Sequence, residues 1–156
     1  MKKKILVGFD DSENAMRAIE FIANAFDSDN EITLFHVVQD TAALCDMNSP
    51  ELTPYFVSQQ TSFCTLEDQK KSLVDQALEK AKDRLTSAGF SDRKIHIKLA
   101  AKKKNVAKDI IDEAHNGYDL IVLGRRGVSG IKDFLLGSIS QKVLQLAKEG
   151  SILFVN

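Results

Sequence analysis

Apolar residues in this chain occur in two arrangements, short unbroken runs and longer stretches at helical spacing, and the two take turns along the sequence. Ile5-Leu6-Val7-Gly8-Phe9 is an unbroken run closed by Asp10-Asp11-Ser12, the pattern of a strand buried on both faces. Ala15, Ala18, Ile19, Ile22, Ala25 and Phe26 follow at helical spacing, with Asp11 or Ser12 available as the cap. Ile32 to Val38, rich in β-branched and aromatic residues, predicts a second strand. Leu73, Ala77, Leu78, Ala81, Leu85 and Ala88 mark a long amphipathic helix from Leu66 onward, stopped by Gly89. A strand from Ile95 to Ala101, a helix on Val106, Ala107, Ile110, Ile111 and Ala114, and a strand from Leu120 to Leu123 come next. The last helix is expected to open at Ser138 and end at Gly150, before a final strand from Ile152 to Val155. Such alternation requires right-handed crossovers, so the pattern predicts an α/β fold: an open, mostly parallel, Rossmann-like five-stranded sheet with helices on both faces.

Periodicity is lost between Gln39 and Thr65, a stretch that holds both prolines and both cysteines. Loops beyond about 12–15 residues are uncommon in compact domains. Residues 39–65 therefore read as a long loop or a partly helical insertion within one domain spanning 1–156. The cysteines, Cys45 and Cys64, have neither C-x-x-C spacing nor a histidine beside them, and read as two incidental thiols, with a redox pair as the alternative. The three histidines fall singly on different elements, which gives no metal-binding pattern.

Composition narrows the function. Hydrophobic residues at 44% and charged residues at 28% suit a globular core rather than disorder. Lys and Arg total 21 against 22 Asp and Glu, so there is no basic field to draw the molecule onto nucleic acid, and any anion site must be local. The apolar run after Lys2-Lys3-Lys4 is too short for a signal peptide and no stretch is long enough to cross a bilayer, so a cytoplasmic location with no membrane partner is expected.

In open parallel sheets ligands bind beyond the carboxyl ends of the strands. Of the loops there, Gly124-Arg125-Arg126-Gly127 is the most informative. Glycines at 124 and 127 allow backbone amides to approach a bulky anion, and nine residues later Gly137-Ser138 opens a helix whose amides and dipole suit a phosphate. Ser138 and Gln141 have the capping-box spacing, which predicts Ser138 as the helix cap. Arg125 and Arg126, side by side, suit either a phosphate or solvent.

Gly124-x-x-Gly127, nine residues, then Gly137-Ser138 resembles the G-x2-G-x9-G-[S/T] motif of the ATP-binding universal stress proteins. The likeness extends to Asp10-Asp11-Ser12 after the first strand, His36-Val37 at the end of the second, and Asp119 before the fourth. The resemblance implies that Asp10 bonds a nucleotide ribose, with Gly8 and Phe9 beside it, and that Val37 packs near an adenine. It also implies that Gly124, Arg126, Gly127, Gly137, Ser138 and Ile139 contact phosphate and ribose, with Leu123 at the lip of the pocket. ATP, or ADP or AMP, with or without Mg2+, would be the ligand, and a homodimer would pair through Ile152 to Val155.

The chain departs from that family pattern where many members have glycine after the third strand. Here Ala101-Lys102-Lys103-Lys104 follows, three lysines that form either a phosphate rim, an obstruction or a solvated charge run. The second departure is Ser151, where members often have proline. No Walker-type Gly-Lys-[Ser/Thr] and no evident catalytic base occur, and only Asp10 and Asp11 offer themselves to magnesium, so slow or no hydrolysis is expected. The alternative is a family member that binds no nucleotide and acts through protein contacts. A phospho-acceptor receiver domain is disfavoured because the third strand ends in Ala100-Ala101 rather than an acceptor aspartate.

Overall fold

The computed structural model describes residues 1–125 and 136–156. A five-stranded sheet runs in the order β3-β2-β1-β4-β5, with every neighbouring pair parallel. Its strands are β1 (Lys4–Gly8), β2 (Glu31–Val38), β3 (Ile95–Ala101), β4 (Leu120–Gly124) and β5 (Ser151–Val155). The helices are α1 (Glu13–Ala25), α2 (Ala42–Cys45), α3 (Pro54–Ser87), α4 (Val106–Ala114) and α5 (Ser138–Leu146).

Two apolar layers hold the sheet. On one face, Ile5, Val7, Ile32, Leu34 and Val122 pack against Ala18, Ile19 and Ile22 of α1 and Leu78, Ala81 and Leu85 of α3. On the other, Leu6, Phe35, Ile121 and Leu123 pack against Ala107, Ile110 and Ile111 of α4 and Val143 of α5. Ile5, Leu6, Ile19, Ile22, Ile32, Leu34 and Leu85 are fully buried, and each such side chain contributes about 1.5–3 kcal/mol of apolar transfer.

Ser12, of the two candidates, caps α1: its Oγ accepts from the Ala15 amide at 3.1 Å. At the opposite end of the sheet Asp119 joins β1 to β4, accepting from the Lys4 amide at 2.8 Å while its own amide donates to the Lys4 carbonyl. Asp119 therefore belongs to the amino ends of the strands, away from the ligand loops.

Three sequence expectations are corrected. The long helix starts at Pro54, twelve residues before Leu66; Thr53 caps it, its Oγ1 accepting from Phe56 at 3.2 Å, and proline fills the first turn. Its first buried residue is Val74, so the stretch before it leaves no apolar stripe to detect. Cys45 and Cys64 are not separate thiols: they form a disulfide between α2 and α3. Finally, Gly137 is the cap of α5 and Ser138 the first helical residue, with no side-chain capping bond.

Candidate functional site

β1 leads to β2 on one side and lies against β4 on the other, so the chain diverges beyond their carboxyl ends, where a crevice opens. A cleft of about 140 Å3 sits there. Gly8, Phe9, Asp10, Val37, Leu123, Gly124 and Ile139 from the sequence candidates share its lining with Ser12, Ala15, Phe35, His36, Val106, Ile110 and Ser140. Its inner wall is apolar: Phe35, Ile110 and Leu123 are buried core residues of the α4 and α5 layer.

Asp10 stands at the cleft's polar side. Its Oδ1 accepts from the Ser12 amide at 2.9 Å, which makes the turn that leads into the capped start of α1. Oδ2 makes no hydrogen bond among the described residues. His36 Nδ1 lies 2.8 Å from the Phe9 carbonyl. A carbonyl only accepts, so Nδ1 carries a proton and donates it. Together with the Phe9 amide donating to Phe35 at 2.9 Å, this bond fixes the backbone immediately before Asp10.

The end of β4 and the start of α5 are joined directly. Buried Ser140 donates its hydroxyl to the Gly124 carbonyl at 3.0 Å, and the Gly137 amide donates to the Arg125 carbonyl at 2.8 Å. Gln141 makes the first intrahelical bond, to Gly137 at 2.9 Å, so the amides of Ser138, Ile139 and Ser140 stand ahead of the helix ladder. Ile139 is exposed at the cleft's lining, whereas Gly137 and exposed Ser138 are not among the lining residues. Arg126 and Gly127 lie outside the described residues.

Lys102, Lys103 and Lys104 are exposed and do not line the cleft. Their loop is held by Asp109, a buried carboxylate that accepts from the Lys103 and Lys104 amides at 2.9 and 3.2 Å. Lys102 Nζ donates to Gln39 at 3.2 Å and Lys104 Nζ pairs with Asp112 at 3.4 Å. The Lys108 ammonium, and after it Lys104, hold the Asp112 carboxyl below the usual range.

Sequence reasoning missed Ser140 and His36 as lining residues. Ser140 is three residues before Val143, on the same inward face of α5, and a hydroxyl at that spacing needs a buried partner. His36 is the signal that was present, directly before Val37 in the His-Val pair that ends β2.

Residues 1–149 match the model of the universal stress protein family. The chain belongs to that family. It is 28% identical over 149 residues to the universal stress protein YxiE of Bacillus subtilis, covering 94% of this chain and 95% of that protein. Against the universal stress protein MJ0577 of Methanocaldococcus jannaschii the identity is 26% over 154 residues, covering 93% and 90%. Among solved structures, MJ0577 superposes with a TM-score of 0.70 at 22% identity, covering 98% of this chain and 94% of that one. A universal stress protein solved in complex with cAMP superposes at 0.62 with 20% identity, covering 99% and 96%. These superpositions establish the Rossmann-like fold of the family for this chain. Among the described residues, no helix is long and apolar enough to cross a membrane.

Proposed function

We propose that this family member binds an adenine nucleotide at the crevice between β1 and β4 and acts as a regulatory module with slow or no hydrolysis. One observation carries the reading: an apolar-walled cleft at the switch point has a carboxylate on one side and the first amides of α5 on the other. An apolar wall suits a purine face, Asp10 suits ribose hydroxyls, and amides ahead of a helix ladder suit a phosphate. The cAMP complex of a similarly folded family member supports the ligand class.

In this reading Gly8, Phe9 and Val37 flank the base, Leu123 forms the lip, and Gly124, Gly137, Ser138 and Ile139 receive ribose and phosphate, with Arg126 and Gly127 completing the motif. The three lysines contribute general positive charge near the rim rather than direct contacts. The protein works in the cytoplasm as a homodimer joined through the outer edge of β5. That strand ends the sheet, and Ile152, Leu153 and Phe154 are only partly buried within the subunit.

A second reading, a family member that binds no nucleotide and acts through protein contacts, is favoured by the cleft's size. About 140 Å3 is small beside the roughly 300–1,000 Å3 of drug-sized ligand sites, so a whole nucleotide must extend beyond it. Denaturing the freshly purified protein and chromatographing the supernatant, then titrating the protein with ATP, ADP, AMP and cAMP by calorimetry, separates the two. Released nucleotide or a saturable heat supports binding; neither, with no thermal-shift response, establishes the second reading.

A further inference from the structure

We infer that Cys45 and Cys64 form a reversible thiol–disulfide exchange site that latches the start of α3 to α2. None of the first twenty residues of α3 is fully buried, nor is any of α2; Phe56, Gln60, Cys64 and Glu67, and Leu44 and Cys45 of α2, are only partly covered. Among the described residues, the covalent and hydrogen-bond ties between the two helices are the disulfide and one side chain, Gln60, whose Nε2 donates to the carbonyls of Leu44 at 2.6 Å and of Met47, just past α2, at 2.9 Å. A helix start with no fully buried residue gains little from the core and frays toward its free end, so cross-links to α2 contribute much of its local stability.

The bond is also reachable. Both cysteines are partly exposed, and both line a hollow of about 620 Å3 together with Asp68 and Lys71. That hollow admits a small thiol to either sulfur; Lys71 is the cation on its wall, beside the carboxylates of Asp40, Asp46 and Asp68, so the access is steric rather than electrostatic. A thiolate of the glutathione class attacks one sulfur, the Cys45–Cys64 bond breaks, and a mixed disulfide forms. The displaced cysteine leaves as a thiolate and takes a proton from solvent. A second thiol attacks the mixed disulfide, giving two protein thiols and one oxidised glutathione; two electrons and two protons have entered the protein. The reverse sequence, with oxidised glutathione, restores the latch. None of this depends on nucleotide binding.

The test equilibrates the full chain in buffers of graded reduced-to-oxidised glutathione, counts free thiols with a maleimide, and follows hydrogen exchange in the oxidised and reduced forms. The expected result is a passage from no free thiols to two within the series. On reduction, exchange in 42–64 accelerates by roughly tenfold or more while 74–85 is unchanged. A thiol count constant across the series overturns the inference, and so does identical exchange in 42–64 in the two forms. The C45S/C64S double variant is expected to exchange like the reduced protein; if it does not fold, reduction of the native chain supplies the same comparison.

Discussion

Gly124 lies against the backbone of Asn14: a Cβ placed on the glycine would sit 2.7 Å from the Asn14 carbonyl carbon and 2.8 Å from its oxygen. The absent side chain thus lets the end of β4 meet the first turn of α1, the two elements that flank the cleft. Left-handed backbone is not involved, since the described glycines with positive φ are Gly89, Gly117 and Gly150. Gly124→Ala should therefore force backbone apart rather than rotate a side chain. Overpacking of that kind costs about 1–3 kcal/mol, readable as a lower urea midpoint at unchanged slope. An alanine variant as stable as the parent would show that the close approach is not maintained in solution.

Asp10 has a turn to hold and, in the proposed function, a ribose. The two roles separate by substitution. Asp10→Asn keeps an oxygen for the Ser12 amide, so it should leave stability within about 0.5 kcal/mol of the parent while weakening nucleotide binding. Asp10→Ala removes the acceptor as well and should lower stability by about 0.5–1.5 kcal/mol. Thermal denaturation and calorimetric titration on the same preparations read both. Equal nucleotide affinity in all three proteins would place the ribose elsewhere.

The parts of this fold that were legible in the sequence are those that bury something. Ile5 to Phe9, Ile32 to Val38 and the α1 stripe announce themselves because each apolar spacing records contact with the core. The start of α3 was silent for the same reason: from Pro54 to Leu73 no residue is buried, and only the Thr53-Pro54 cap signalled a helix there. With that segment unread, nothing could bring Cys45 to Cys64. At the site, the strand ends, the glycine spacing and the helix start at Ser138 were visible, whereas the cap is one residue earlier than expected, at Gly137. The buried hydroxyl that ties α5 to the end of β4 belongs to Ser140, because the third helical residue turns toward β4 while Ser138 stays exposed. The lysine run illustrates the converse. Its charges were plain in the sequence, but the buried Asp109 that fixes their loop was not.

The ammonium groups of Lys102 and Lys104 are engaged with Gln39 and Asp112, and none of the three lysines lines the cleft. If they act only through general charge, the triple substitution K102A/K103A/K104A should reduce nucleotide affinity by no more than about threefold at physiological ionic strength, where the screening length is about 8 Å. The difference should fade further as salt is raised. A loss of tenfold or more that persists in high salt would mean that a lysine reaches the phosphates directly.

Asp119 supplies a pH-dependent tie at the far end of the same two strands. The Lys4 amide, and after it the Lys3 ammonium, hold its carboxyl below the usual range, against a smaller opposing effect of desolvation. A carboxyl whose folded pKa is depressed stabilises the fold above its unfolded value, about 3.9, and loses that contribution as pH falls through the folded value. Asp119→Ala should accordingly melt at a lower temperature than the parent at neutral pH. The gap should narrow as the pH is taken below about 4, because protonation in the parent then removes the same charge that the substitution removes. Paired melting curves over that range decide the matter. A gap that stays constant down to strongly acidic pH would show that the carboxylate's charge contributes nothing and that the residue matters only for packing.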